Sequence, residues 1–166
     1  MKLVDDLGLI KLALAGNNSA FEILVHKYES MIAKITISMI GNKDEADDIG
    51  QEVFIRFYRS MDKFKGDSKL GTYLARMAIN LTLNEIKKRQ KRWLSIIPNY
   101  QDIEVPSNVS EESKDITSVV NTSLSKLEPK FRSVVVLRNI QGFSTKETAE
   151  ILNLPQGTVL SRLSRG

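Results

Sequence analysis

The sequence contains no cysteine, one tryptophan and one histidine among its 166 residues. The absence of cysteine excludes a disulfide framework and any thiolate-bound metal. His26, the only histidine, has no companion cluster of metal ligands, so no metal or catalytic site is predicted around it. No run of about 18 apolar residues is present, which argues against membrane insertion, and the acidic Asp5 and Asp6 are unlike a signal peptide. A cytoplasmic protein without metal or cofactor is expected.

The net charge of +4 is distributed unevenly along the chain. Residues 1–92 carry 16 basic and 12 acidic side chains, residues 93–116 carry 1 and 5, and residues 117–166 carry 7 and 3. Basic segments favour polyanionic partners such as nucleic acid. The acidic segment also holds Pro98 and Pro106, which is typical of a linker. We therefore predict two small domains, at 1–92 and 117–166, joined by a flexible acidic linker at 93–116.

Apolar residues recur at helical spacing in both predicted domains, which indicates an all-α fold. A first helix is predicted from Asp6 to Gly16, with Leu7, Ile10 and Leu14 on one face. A second is predicted from a Ser19–Glu22 capping box to Gly41, a third over 45–61 and a fourth over 70–92. The apolar stripe of the second helix predicts a core formed by Phe21, Leu24, Val25, Tyr28, Ile32, Ile35 and Met39.

Asp48, Gln51, Glu52 and Ile55 share one face of the third predicted helix, at i, i+3, i+4 and i+7 spacing. Acidic side chains repel phosphate, so this face suits contact with a protein better than contact with nucleic acid. The general acidity of the helix start and the basic run at 87–92 have another explanation. Charges of these signs complement the dipoles of the two helix ends.

The fourth predicted helix carries cations, amides and an aromatic side chain on the side opposite its apolar stripe. Such residues contact phosphates, stack on bases and bond base edges, whereas the alternative is an ordinary solvated face. Phe64, in the loop before this helix, either packs under the loop or is held out for a partner. The candidate nucleic-acid contacts are Phe64, Lys69, Thr72, Tyr73, Arg76, Asn80, Asn84, Lys87, Lys88 and Lys91.

The C-terminal segment predicts a helix-turn-helix. A helix with Val119, Val120 and Leu124 and another over 131–140 precede a capping box at Ser144–Glu147. A tight turn and a last helix follow, with the small Ala149 where the two final helices would cross. Thr158, Ser161, Arg162 and Arg165 share the face of the last helix that would enter a DNA major groove. Helical pairs of this kind also occur as plain packing motifs.

Four motifs occur in a fixed order: DEADDIGQEVFIR at 44–56, FKGDS at 64–68, TYLARMAINL at 72–81 and LPQGTVLSRLSR at 154–165. With the acidic linker between the third and fourth, the chain resembles bacterial RNA polymerase sigma factors of the extracytoplasmic function (ECF) type, in the sigma-70 family. The resemblance extends over nearly the whole chain. It implies an alternative sigma factor that binds core RNA polymerase, directs promoter recognition and −10 strand opening, and performs no bond chemistry.

The resemblance also implies roles for residues. Asp48, Gln51 and Glu52 would dock on the clamp helices of the polymerase β′ subunit, and the β subunit would be a further contact. The loop at 64–72 and the helix with Tyr73, Arg76 and Asn80 would capture flipped bases of the −10 element, while residues 87–92 hold the upstream backbone. Ser161, Arg162 and Arg165 would read the −35 element. An anti-sigma partner is implied, and an obligate homo-oligomer is not.

The sequence departs from the family pattern at several positions. Tyr73 stands where the family usually has tryptophan, Leu70 and Gly71 replace Phe and Ser or Arg, and Leu160 occupies an often basic position. Relatives generally continue the last helix beyond the position of Gly166, and a shorter helix would bind the −35 element less well.

Two other function classes remain open at this stage. One is a self-contained helix-turn-helix repressor that uses residues 144–166. The other is an enzyme acting on nucleic acid, with magnesium held by the carboxylates at 44–52.

Overall fold

The structure is a computed structural model that describes residues 5–96 and 116–166. Within these segments the chain forms eight α-helices and no β-strand, which confirms the predicted all-α class. A 3-10 turn at Met61–Lys63 follows the third helix, and a π-helical turn at Val136–Ile140 extends the sixth. The helices are α1 (Asp6–Leu14), α2 (Asn18–Ile40), α3 (Lys43–Ser60), α4 (Leu70–Ile96), α5 (Ile116–Ser125), α6 (Pro129–Val135), α7 (Thr145–Leu152) and α8 (Gln156–Arg165).

The N-cap of helix α2 lies two residues before the predicted one, Ser19. The Asn17 side chain accepts a hydrogen bond from Ala20 N, and the helix starts at Asn18. The prediction of a Ser19–Glu22 capping box is therefore wrong. Asparagine and serine are both good N-caps. The sequence alone therefore does not identify which of Asn17, Asn18 and Ser19 caps the helix.

Helix α1 packs through a different face from the predicted one. Leu9, Ile10 and Ala13 are buried, whereas Leu7 and Leu14 are exposed. Of the predicted apolar face of Leu7, Ile10 and Leu14, only Ile10 is thus buried. A nine-residue helix with apolar side chains on several sides gives no single stripe to identify.

The core of the first bundle, α1–α4, follows the predicted stripe of α2. Ile32, Ile35 and Met39 are buried against Val53 and Phe57 of α3. Each fully buried side chain of this size contributes roughly 1.5–3 kcal/mol relative to exposure. This burial fixes α3 with its polar face outward.

Gly71 lies where α4 approaches α2 closely. A Cβ atom at this position would lie 3.3 Å from Cε1 of Tyr28, which is a tight contact. The Tyr28 hydroxyl in turn donates to Asp6 Oδ2 at 2.6 Å, so α1, α2 and α4 meet at this point. Burial, with the hydrogen bond and the charge of Asp6, raises the pKa of Tyr28 above its ordinary value.

Helix α4 continues to Ile96, four residues into the predicted linker. Leu94 and Ile96 at its end are exposed. The remainder of the predicted linker, except Ile116, lies outside the described residues. The proposed domain boundaries at 92 and 117 stay a prediction.

The second bundle, α5–α8, contains the predicted helix-turn-helix in α7 and α8. The predicted capping box at Ser144–Glu147 is confirmed by both of its hydrogen bonds, at 2.9 and 3.1 Å. Asn153 ends α7 in the left-handed conformation, with φ of 52°. In α5, Leu124 is buried as expected, but Val119 and Val120 are exposed.

The two bundles are packed against each other through a continuous apolar core. Leu124, Leu137 and Ile151 belong to the same buried cluster as the side chains of α1–α4. Arg132 of α6 adds polar contacts at this junction. Its guanidinium donates to the Met39 carbonyl at the end of α2 and, at 2.8 Å each, to the carbonyls of Ser125 and Leu127. Burial, together with the nearby Arg89 charge, lowers the pKa of Arg132.

Candidate functional site

The polar face of α3 is presented to solvent. Asp48 and Gln51 are exposed, Glu52 is half-buried and the Ile55 side chain is 44% exposed. Since the apolar side of α3 packs against α2, these four residues are turned outward together. The predicted protein-contact face thus exists as a contiguous strip with an aliphatic residue at one end.

Two residues of this strip border a groove of about 670 Å³ between α3 and α4. Asp48 and Glu52 lie on the α3 wall, while Lys87, Lys88 and Lys91 lie on the α4 wall. The two predicted contact regions therefore share one groove, acidic on one side and basic on the other. Their spacing in sequence does not reveal this proximity.

Several charges in and beside the groove are paired with one another. Arg56 Nε donates to Glu52 Oε1 at 2.6 Å, and Arg89 pairs with Glu45 across the two helices. Arg92 pairs with Glu85 at 2.9 Å. Within residues 5–96 and 116–166, Lys87 and Lys91 make no ion pair. These two lysines are the cations of the basic run most ready to contact phosphate.

The aromatic residues near the start of α4 form a small cluster. The Tyr73 ring lies edge-on to Phe64, with centroids 5.1 Å apart, and 6.2 Å from the Phe57 centroid. Phe64 is half-buried and packs against the core. Of the two roles considered for Phe64, the structure therefore shows the side chain tucked under its loop, where it supports Tyr73.

Thr72 does not belong to the exposed face of α4. Its side chain is in the buried set, at 2% exposure, so the prediction that Thr72 lies on the exposed face of α4 is wrong. A threonine side chain is short and its γ-methyl group packs well in a core. Helical spacing alone therefore does not decide whether such a residue faces solvent. Asn80, Asn84, Lys87, Lys88 and Lys91 are exposed as expected.

Two predicted nucleic-acid contacts of α4 are engaged with α7. Lys69 Nζ lies 3.0 Å from Glu147 Oε1, and Arg76 Nη2 donates to the Glu150 carbonyl at 2.6 Å. Arg76 Nε is buried with no acceptor among the described residues. The hydrogen bond from Ser144 N, followed by that from Lys69, lowers the pKa of the Glu147 carboxyl. Sequence reasoning missed Glu147 and Glu150 because it treated the two domains separately.

On α8, the predicted reading face is largely outward. Ser161 and Arg165 are exposed, Thr158 and Arg162 are half-buried, and Val159 is fully buried. The Ser161 hydroxyl donates to the Thr158 carbonyl at 3.0 Å. Three further residues share this outward side and were not predicted as contacts: Gly157, Leu160 and Ser164. Helical projection from the buried Val159 would have found them.

The carboxylates at 44–52 are arranged for ion pairing. Glu45 pairs with Arg89, Asp47 with Lys43 at 2.7 Å, and Glu52 with Arg56. Among the residues that the structure describes, no three His, Asp or Glu side chains are grouped to hold a metal ion. In those same residues, no helix combines the length and the apolar character needed to cross a membrane.

Comparison with known protein families finds a match for each of the two bundles. The family model described as Sigma-70 region 2 matches residues 24–92, and Sigma-70, region 4 matches residues 119–166. The chain is 34% identical to the ECF RNA polymerase sigma factor SigW of Bacillus subtilis, over 95% of this chain and 90% of that protein. It is 30% identical to the ECF RNA polymerase sigma-E factor of Escherichia coli, over 95% and 87%.

Solved structures share the arrangement of helices. CnrH, solved in complex with the cytosolic domain of CnrY, superimposes with a TM-score of 0.72 at 25% identity, covering 98% of this chain and 92% of that chain. The sigma factor RpoE of Bartonella quintana, solved with the anti-sigma factor NepR, has the same fold, with a TM-score of 0.71 at 21% identity, covering 87% and 90%.

Proposed function

Because this chain belongs to the ECF group of the sigma-70 family of RNA polymerase sigma factors, we propose that its three outward surfaces divide the work of transcription initiation. The family gives the general activity, which is that of an alternative sigma factor, a transcription initiation factor. The proposal concerns which residues perform each part. It is supported above all by one observation: α3 presents an acidic and amide strip beside a cationic α4, on a chain that also carries a helix-turn-helix.

The α3 strip binds core RNA polymerase. Asp48, Gln51 and Glu52 supply carboxylate and amide groups and Ile55 supplies apolar area, a combination that suits a helical and basic protein partner. By the family resemblance that partner is the pair of clamp helices of the β′ subunit, with the β subunit as a further contact.

The α4 face captures the −10 element. Tyr73, braced by Phe64, offers a ring on which a flipped base stacks, and stacking is worth about 1–3 kcal/mol per base. Asn80 and Asn84 bond base edges, while Lys87, Lys88 and Lys91 hold the upstream phosphates. Strand opening costs on the order of 1–2 kcal/mol per base-pair step, so base capture offsets it.

The α8 face reads the −35 element in the major groove. Arg162 and Arg165 present guanidinium groups suited to guanine or phosphate, and Ser161 lies at the centre of the outward side. Thr158, at the first turn, contacts the backbone. This bundle and the first are each weak DNA binders, and the polymerase holds them together so that binding of one raises the effective concentration of the other.

A regulatory partner and a place of action also belong to the proposed function. The CnrH and RpoE structures were solved with partner proteins, and an anti-sigma protein is therefore a proposed regulator of this chain as well. The proposed place of action is the bacterial cytoplasm, where polymerase and promoter DNA are found. Neither catalysis nor an obligate homodimer is needed.

The repressor that uses only residues 144–166 is not favoured, since it would leave the α3 strip without a role. Size-exclusion chromatography with and without core RNA polymerase separates the two functions. A sigma factor comigrates with core enzyme, whereas a tight dimer that ignores core enzyme supports the repressor. Run-off transcription from a promoter library with purified core polymerase then tests initiation directly and yields the promoter sequence.

A further inference from the structure

Leu160 is an apolar side chain that α8 leaves in solvent on its outward side. Val159 is fully buried and Leu163 packs against the same small cluster, whereas Leu160 is 53% exposed. With Val159 and Leu163 facing inward, helical geometry places Ser161 near the centre of the opposite side. Leu160, about 100° around the helix from both Val159 and Ser161, lies at the edge of that side.

The outward side of α8 has two chemically different flanks. Arg162 and Arg165 lie on one flank, which is cationic. The other flank holds Leu160, Gly157 and Ser164 and carries no charge. The Ser164 hydroxyl donates back to the Ser161 carbonyl at 3.0 Å, and a Cβ atom at Gly157 would meet no other atom within 4 Å. Leu160 is therefore the one large apolar side chain of this flank, with the exposed Gln156 one turn before it at i−4.

A single exposed leucine on a protein surface is ordinary and requires no explanation. Leu160 differs because its flank is continuous with the arginine-bearing surface that enters the major groove. Base edges in that groove offer hydrogen-bond donors and acceptors, and one apolar group, the C5 methyl of thymine. A leucine cannot bond the polar groups, so the thymine methyl is the group it matches.

We propose that Leu160 determines −35 specificity by packing against the C5 methyl group of one thymine. This inference rests on the proposed function of α8. It assigns the uncharged flank to direct base reading and leaves Arg162 and Arg165 to guanine or phosphate. Burial of one methyl group is worth about 0.8 kcal/mol, or roughly fourfold in affinity.

The test uses holoenzyme assembled from the full chain and core RNA polymerase, on a promoter recovered by run-off selection. Each thymine of the −35 element, on both strands, is replaced in turn by deoxyuridine, which lacks only the methyl group. For the unchanged protein, one replacement weakens promoter binding about fourfold. For Leu160→Ala that position no longer distinguishes thymine from deoxyuridine, while Leu160→Met keeps the distinction.

The matched control is Leu12→Ala, which removes an exposed leucine of α1 and keeps the full methyl effect. The proposal is overturned if the unchanged holoenzyme is indifferent to deoxyuridine at every position, if Leu160→Ala retains the difference, or if the selected −35 element contains no thymine. Leu160→Ala could instead weaken binding by the same factor on thymine and on deoxyuridine promoters, so that the fourfold difference between the two bases persists. That result would assign Leu160 to a protein contact. A holoenzyme that initiates from no promoter would instead refute the proposed function itself.

Discussion

Lys69 Nζ and Glu147 Oε1 lie 3.0 Å apart although the two residues are 78 positions apart in the chain. The pair joins the residue before α4 to the first turn of α7. About two turns further along the chain, Arg76 of α4 donates to the Glu150 carbonyl at 2.6 Å. Two cations predicted to contact the −10 element therefore interact with α7 in this arrangement, so that these contacts with α7 would compete with binding of DNA.

Glu147→Gln is expected to raise the affinity of the isolated chain for a single-stranded −10 oligonucleotide. The Lys69 side chain is 83% exposed and that of Glu147 26%, so the ion pair is worth about 0.2–1 kcal/mol and the gain is at most about fivefold. Glutamine retains the acceptor needed by the Ser144 capping box. Fluorescence anisotropy at low salt measures the effect, which high salt should screen.

Glu150→Gln is the matched control, because it removes the same charge from the same helix but leaves the Arg76 acceptor, a backbone carbonyl, in place. It should raise DNA affinity less than Glu147→Gln does. Equal gains from the two substitutions would show that only general electrostatics is involved, and that the Lys69–Glu147 pair does not compete with DNA.

The stability of the chain should depend on Glu147 at acid pH. Hydrogen bonds from Ser144 and Lys69 lower the pKa of its carboxyl below the ordinary value of 4.5, so the unfolded state binds this proton more readily. The stabilisation is present above the unfolded pKa and is lost as pH falls through the folded one. Urea denaturation from pH 6 to pH 3 should show the difference between the unchanged chain and Glu147→Gln shrinking below about pH 4.5. A difference that stays constant through this range contradicts the assignment.

Local signals in the sequence predicted local structure well. The Ser144–Glu147 capping box was correct because its two hydrogen bonds span only three residues. Where several neighbours compete, as at Asn17 and Ser19, the choice depends on how the chain enters the helix. The outward strip of α3 was predictable in the same way, since its four members follow the helical period around a strongly apolar side.

Contacts between distant segments could not be read from the sequence. Nothing in the residues around Lys69 indicates that Glu147 will pair with it, because that contact depends on how the second bundle packs on the first. Thr72 was misplaced for a related reason: its side chain is buried by packing that helical spacing does not specify. The family resemblance supplied roles for positions, but it did not supply the conformation in which those positions meet.

Asn80→Ala is expected to lower promoter opening more than core binding. Asn80 is exposed on α4, and loss of its bonds to a base should reduce open-complex formation about tenfold, equivalent to about 1.4 kcal/mol. A fluorescent base analogue in the −10 element reports opening, and comigration with core enzyme reports binding.

Thr72→Ala provides the contrast on the same helix. Because Thr72 is buried, this change should lower the free energy of unfolding by about 1 kcal/mol and leave strand opening by the folded protein unchanged. Parallel losses of opening and core binding in Asn80→Ala would indicate a folding defect instead of a lost base contact.

The combined change Gln51→Ala and Glu52→Ala is expected to remove binding to core RNA polymerase. Truncation of a residue central to an interface costs at least about 2 kcal/mol, so affinity should fall on the order of thirtyfold for each residue and about a thousandfold for the pair. The fold should be retained, since both partners of the Glu52–Arg56 pair are partly solvent-exposed and surface changes shift stability by about 0.5 kcal/mol. Glu22→Ala, which removes an exposed acid from α2, is the control and should bind normally. If the double variant binds core enzyme as tightly as Glu22→Ala does, then α3 is not the docking surface, and the groove shared with α4 has another use.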